Sequence, residues 1–471
     1  MGFKYILAVL NSPKRLITHN LAGLNMFTYN QTDNNGPIIN VVDSMMGQGK
    51  STWLINTVNK LMLSIFDNLP NPRIIIVTPY LNEITRFKKA CPMADLMEPR
   101  AYGHSKAEDL HELLESGCNI VTTHALWKKV NRITYDLVSK NKYKLFIDEV
   151  MECIEQSNEI SNSDFKMLFS CNLISIADDG RIIWNENNEQ RYKGKFDLAK
   201  SLCENGNLYR FKNKYTFWIF PPDFLAQFSE VYILTYLWKN SLMDGYAKAS
   251  GYRVHHYSLV DYQLKAHALA NESHLRAAMS EKITIITDSK LNAIGDIPKL
   301  GPKTCPLSAT WYKHQEDNVL KGIHNLIYNY YKNRVSGPAK LSMWTCYSAQ
   351  RPKLKGAGYS KGFVSCNARA TNEHRHRTNL AYMINLYMVP IVKTFIESRG
   401  VKIDQDQYAL SALVQWIFRS AIRDGKPITL FIPSQRMREL LLAWLNPQPL
   451  QIVTPAPVRV RHFVQLPLHV A

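Results

Sequence analysis

Apolar residues fall in two arrangements along the chain. Short continuous runs bounded by turn residues alternate with stretches whose apolar positions recur at three- and four-residue spacing. The runs at 38–42, 73–78, 119–123, 144–147 and 228–236 read as strands, and the stretches at 53–66, 82–89 and 125–130 as helices. Strands that are apolar throughout, separated by helices, indicate a parallel sheet covered on both faces. Ligands in such sheets lie at the carboxyl ends of the strands. The segment after residue 42, Thr78, Thr122 and Asp148 are therefore expected on one edge.

The pattern weakens over 154–223, which reads as an insertion, with Asp178-Asp179-Gly180-Arg181 as a hairpin turn. Residues 237–250 read as helix or connection, stopped by Gly251. A second alternating series follows. Strands are expected at 252–257, 282–287, 341–347, 362–366 and 427–432, and helices at 316–332, 379–399 (kinked at Pro390), 408–423 and 435–444. The organisation expected is an N-terminal extension over 1–36, a first α/β domain over 37–250, a second over 251–446, and a disordered or loosely packed tail over 447–471.

Charge adds a partner. The 471-residue chain carries a formal net charge of +18, an excess that points to a polyanion, nucleic acid first. Between 353 and 377, Lys353, Lys355, Lys361, Arg369, Arg375 and Arg377 are interleaved with Tyr359 and Phe363, a mixture suited to a nucleic-acid strand. No run reaches the roughly 18 apolar residues that cross a membrane, so no membrane partner is expected. The eight cysteines form no Cys-x-x-Cys pair and read as reduced core thiols of a cytoplasmic protein. His255-His256, and His374 with His376, have no ligand-spaced neighbours in the sequence.

The candidate chemistry begins where the first strand stops. Asp43-Ser44-Met45-Met46-Gly47-Gln48-Gly49-Lys50-Ser51-Thr52 joins that strand to a helix. Glycines let backbone N–H groups turn onto a phosphate, and a helix N-terminus adds partial positive charge. In that arrangement Ser44 to Thr52 cradle a nucleotide, Lys50 reaches the β- and γ-phosphates, and the Ser51 hydroxyl holds Mg²⁺. A strict phosphate-binding loop has Gly where this chain has Ser44. The fourth strand ends in Asp148-Glu149, carboxylates suited to Mg²⁺ (Asp148) and to deprotonating an attacking water (Glu149). Near the C-terminus, Gln415, Arg419 and Arg423 are spaced to share a helix face, from which an arginine can stabilise a transferring phosphoryl group.

With these residues in place the chain resembles superfamily-2, DEAD-like helicases, in particular those of phages and mobile elements related to viral origin-binding proteins. The resemblance spans about 37–445. Its loop pattern, Ala/Ser-x-x-Gly-x-Gly-Lys-Ser/Thr, accommodates Ser44. Val77-Thr78-Pro79 is similar to motif Ia and Thr122-Thr123-His124 to motif Ib. Asp148-Glu149-Val150-Met151 stands for motif II and Leu234-Thr235-Tyr236 for motif III. Residues 342–347 resemble motif IV, Asn367-Ala368-Arg369-Ala370-Thr371-Asn372 motif V, and 415–423 motif VI.

The resemblance implies two tandem RecA-like parallel-sheet domains with ATP in the cleft between them. It also implies Mg²⁺, and nucleic acid (DNA before RNA) touching Thr78, Thr122, Thr123, His124, Arg369 and Thr371. The chain departs from the pattern at Met151, where an acid or His is usual, and at Phe418 and Ile422 around the motif VI arginines, so either Arg419 or Arg423 can be the finger. The function expected is a nucleic-acid-dependent ATPase that translocates on or unwinds DNA in phage or mobile-element replication. A packaging motor of the terminase type and an ATP-regulated nucleic-acid-binding module stand as alternatives.

Overall fold

A computed structural model describes residues 36–63, 72–101, 103, 105–185, 194–267, 272–296, 305–367 and 373–446. The expected tail, and all but the last residue of the expected extension, lie outside the described residues. The fold is α/β, with two parallel sheets as expected. The chain divides into two compact units. One comprises Met1–Ala270, Val364–Arg375 and Leu386–Arg419, and the other Asn271–Phe363, His376–Asn385 and Ser420–Ala471.

In the first unit the strands are β1 (Ile38–Asp43), β2 (Ile74–Thr78), β3 (Ile120–Thr123), β4 (Lys144–Asp148), β5 (Ile154–Ser157), β6 (Ile174–Ile176), β7 (Ile182–Trp184), β8 (Leu208–Phe211), β9 (Tyr215–Ile219), β10 (Glu230–Thr235), β11 (Arg253–Val260) and β12 (Gln263–Ala266). Seven of them form one sheet in the order β12-β11-β1-β10-β4-β2-β3, parallel except for the terminal β11–β12 hairpin.

The continuous apolar runs are explained by burial on both sides. Ile39 and Val41 of β1, Ile75 and Val77 of β2, Leu145 and Ile147 of β4, and Val231 and Ile233 of β10 enter one core. Val42, Ile74, Ile76, Phe146 and Leu234 enter the other. Successive side chains of a strand point to opposite faces, so a strand covered by helices on both faces must be apolar at every position. Helix α1 (Lys50–Leu63) buries Trp53, Leu54, Val58 and Met62, and α2 (Leu81–Ala90) buries Ile84 and Phe87. Between β4 and β10 lie the antiparallel sheet β5-β9-β8 and the hairpin β6–β7, closed by the Asp178–Arg181 turn as the sequence predicts.

The second unit carries β13 (Ile283–Ile285), β14 (Ser342–Thr345), β15 (Asn379–Tyr382) and β16 (Ile428–Phe431) in the parallel order β13-β16-β15-β14. Trp344, Ala381 and Phe431 pack there with Trp311, Ile323, Ile327 and Tyr330 of the adjoining helices.

Four expectations are corrected. The strand expected at 252–257 does not open the second domain; as β11 it pairs with β1 and completes the first sheet. Residues 362–366 form no strand and contribute one bridge, Trp344 to Phe363. The stretch 379–399 is not one kinked helix. It begins with β15, and Pro390 starts a helix, Pro390–Glu397, at the position where a missing N–H costs nothing. The helix expected over 408–423 spans Gln405–Ile417, and Ala421–Asp424 is a separate 3₁₀ turn.

Ile233 is fully buried in β10, between β1 and β4. Ile233→Ala is expected to cost about 2–5 kcal/mol of stability, measured by chemical denaturation, because the rigid sheet cannot close the cavity.

Candidate functional site

The loop between β1 and α1 has the backbone its glycines allow. Gly47 and Gly49 have φ of +87° and +83°, in the left-handed region that side chains resist. Gln48 N–H donates to Met45 O at 3.2 Å and Trp53 N–H to Gly49 O at 2.8 Å, which starts the helix. Lys50 is buried, and its Nζ donates to the carbonyls of Ser44 and Met45, the latter at 3.3 Å. Gln48 and Thr52 are exposed. Ser44 has a different role from its neighbours. It is buried, its N–H donates to Thr235 O, and its Oγ accepts from Leu259 N–H at 2.6 Å, so its side chain is engaged with β11.

Asp148 ends β4 and meets the loop from two strands away. Ser51 Oγ donates to Asp148 Oδ1 at 3.2 Å. This is the oxygen-donor pair, one hydroxyl and one carboxylate, that a small hard cation such as Mg²⁺ accepts. Burial pushes the Asp148 carboxyl up to about 6, helped by the neighbouring Glu149 carboxylate and opposed by Arg86. Arg86 sits on α2 with Nη2 3.8 Å from Asp148 Oδ2, held by Glu83 through an Nε–Oε2 bond of 2.6 Å. The sequence reading did not find this arginine; its only local signal is the i,i+3 spacing of Glu83 and Arg86. Glu149 is partly exposed at φ +77°, an uncommon conformation for a side-chain-bearing residue, and its N–H is pinned to Leu234 O at 2.9 Å. Met151, at the departure from motif II, is buried in the core.

Beneath the loop, Asp43 is buried and accepts from Leu237 N–H at 2.8 Å, Trp238 N–H at 3.0 Å and His256 Nε2 at 2.9 Å. Ser258 Oγ donates to Asp43 O and accepts from His267 Nδ1. His256 thus gains neighbours its local sequence does not show. The His256 and His267 rings stack with centroids 3.8 Å apart and planes 13° from parallel. Ring-nitrogen lone pairs lie in the ring planes, so those of stacked rings run side by side instead of converging on one ion. The cluster therefore acts as a brace from β1 to β11 and to the turn after β10.

Thr78 and Thr122, at the carboxyl ends of β2 and β3, are buried, as is His124. Thr123 caps the short helix His124–Trp127 and lines a cleft of about 750 Å³ with Pro79, Tyr80, Asn82, Lys106 and Lys129. Arg369 and Thr371 lie outside the described residues.

Gln415, Arg419 and Arg423 do not share a helix face. Gln415 lies on the helix ending at Ile417 and donates from Nε2 to Tyr236 O at 3.2 Å. Arg419 follows that helix, buried, in the first unit; Arg423 lies on the 3₁₀ turn of the second. Spacing of four and four aligns side chains only along an unbroken helix. This one stops at Ile417 with Phe418 as its C-cap, and Ser420, extended, caps the separate turn that carries Arg423.

The molecule is thus an α/β protein whose larger sheet gathers a glycine loop, a buried lysine and a carboxylate pair on one edge. The chain belongs to the YonV family. It is 37% identical over 424 residues to the "SPbeta prophage-derived uncharacterized protein YonV" of Bacillus subtilis (strain 168), covering 87% of this chain and 99% of that protein. Residues 277–445 match the YonV C-terminal Rossmann-like domain and 154–218 the YonV middle domain. Among solved structures, Xpd4 of S. tokodaii aligns over 87% of this chain and 94% of its own, with 11% identity and a TM-score of 0.42. Among the described residues no helix is long and apolar enough to cross a membrane.

With its carboxyl near 6, folded Asp148 keeps a proton that the unfolded chain, at about 4, has released. Its contribution to stability is therefore full below about pH 4 and lost as pH rises through about 6. Asp148→Asn is expected to melt at a higher temperature than the native chain at pH 8, with the gap closing toward pH 4, in thermal scans without Mg²⁺.

Proposed function

We propose that the protein is an ATP hydrolase of the superfamily-2 helicase type that acts on nucleic acid, DNA before RNA. The observation that carries this reading is the pairing of Ser51 with Asp148 at 3.2 Å, beside Lys50 and Glu149 on one sheet edge. The cleft at the ends of β2 and β3, lined by Lys106 and Lys129 against one acid, Glu373, and the net charge of +18 support a polyanionic partner. The prophage-derived relative supports a role in phage or mobile-element replication, in a bacterial cytoplasm.

The loop amides and Lys50 bind and orient the triphosphate. Ser51 and Asp148 would hold Mg²⁺, which when bound would supply charge neutralisation for the triphosphate. Glu149 accepts the proton of the attacking water as its oxygen bonds to the γ-phosphorus. The bond from the γ-phosphorus to the bridging oxygen breaks, releasing ADP and phosphate. Arg419 and Arg423 are the candidates for stabilising the charge that develops. Differential nucleic-acid grip between nucleotide states then drives translocation or unwinding.

Lys50→Ala is expected to lower ATP turnover by roughly two orders of magnitude or more, and Glu149→Gln by about 10²–10⁴. Single-stranded or duplex DNA or RNA should stimulate the native chain in a steady-state phosphate-release assay. Absence of stimulation by all of these would refute the helicase assignment. Turnover surviving Lys50→Ala would refute the site.

Arg419→Ala and Arg423→Ala are tested separately. At least one should lose turnover by about 10³-fold or more while retaining ATP binding.

A further inference from the structure

We propose that Tyr262 is the base platform of the nucleotide site, its ring stacking on the nucleobase of the bound nucleoside triphosphate. The proposal rests on the nucleotide reading above and adds the part of the ligand that the loop does not touch.

Tyr262 stands on the turn of the β11–β12 hairpin, where Val260 pairs with Gln263 and Asp261-Tyr262 makes the link. Both linking residues are left-handed, with φ of +51° and +59°. A two-residue hairpin of this kind favours Asn-Gly, and a bulky residue there is a backbone outlier. The ring does not earn that position by burial, because Tyr262 is 60% exposed. It lies instead beside the phosphate loop, close enough that a side chain at Gly49 would collide with it. A strained, exposed aromatic against a ligand loop is explained if the ring is there to meet the ligand.

Strand order gives the direction. The loop leaves β1, and Asp148 and Glu149, which mark the γ-phosphate end, lie two strands to one side, past β10. The β11–β12 hairpin lies on the other side of β1. A nucleotide laid with its γ-phosphate toward Asp148 and its phosphates along the loop therefore carries its base toward Tyr262. The phenol ring offers a π-face to any base, so the platform recognises a base without reading its edge.

Titration calorimetry with ATP and with inorganic tripolyphosphate, each with Mg²⁺, separates the base from the phosphates. Tyr262→Ala is expected to weaken ATP binding by about tenfold or more and to leave tripolyphosphate binding unchanged. Tyr262→Phe should bind ATP like the native chain. Unchanged ATP affinity in Tyr262→Ala, or equal loss of both ligands, overturns the proposal; equal loss assigns the ring to loop support. A native chain that binds neither ligand overturns the nucleotide reading and the platform with it. Tyr262→Trp, read as a difference from the native protein, should show fluorescence quenched by ATP and not by tripolyphosphate. Quenching by both, or by neither, counts against stacking.

Discussion

The buried carboxylate of Asp43 holds the working edge of the first sheet together. It ends β1 and accepts two backbone N–H groups from the turn after β10 and one ring nitrogen from β11. An ionised carboxylate removed from water is costly unless its oxygens are satisfied, and here three donors converge on them. The same contacts tie the turn after β10 to β1 and to β11 immediately before the chain enters the glycine loop. Ser44 extends the tie by one residue, bonded to Thr235 on one side and Leu259 on the other. The loop therefore starts from a fixed point, and the hairpin bearing Tyr262 is anchored at the same point.

That stiff base supports local features that cost free energy. Glu149 is held at positive φ, adjacent acids share the end of β4, and the first of them is buried enough to raise its carboxyl to about 6. Each feature disfavours the folded chain, and local costs of this kind gather at functional sites. Arg86 partly offsets the repulsion, 3.8 Å from Asp148 and steadied by Glu83. Strands β1, β2, β4 and β10, apolar on both faces, supply the burial against which these local costs are small.

Much of this was legible in the chain. The five strands of the first sheet from β1 to β10 were visible because each is a mainly apolar run ended by a turn or polar residue. The glycine loop was visible because Gly47, Gly49, Lys50 and Ser51 lie within five residues. Residues 379–399 were misread because a fully buried strand and a buried helix share the same unpatterned hydrophobicity. Gln415, Arg419 and Arg423 were misread because the apolar pattern runs on past the helix end at Ile417 into a separate turn that Ser420 caps. Arg86, Tyr262 and the Asp43 brace carried little or no signal, since their partners lie far away in sequence or depend on a turn conformation.

Sequence alone determined what is local or periodic: the α/β class, the glycine loop, the carboxylate pair at a strand end and the basic charge. These follow from backbone sterics, from the two-residue repeat of a strand and from counting charges. Only the tertiary structure decided that β11 completes the first sheet, that Ser44 faces β11, that Asp148 reaches Ser51 and Arg86, and that Tyr262 lies on Gly49. Those juxtapositions depend on strand order and on hydrogen bonds between segments distant in sequence. Spacing along one chain does not encode which strand will lie beside which.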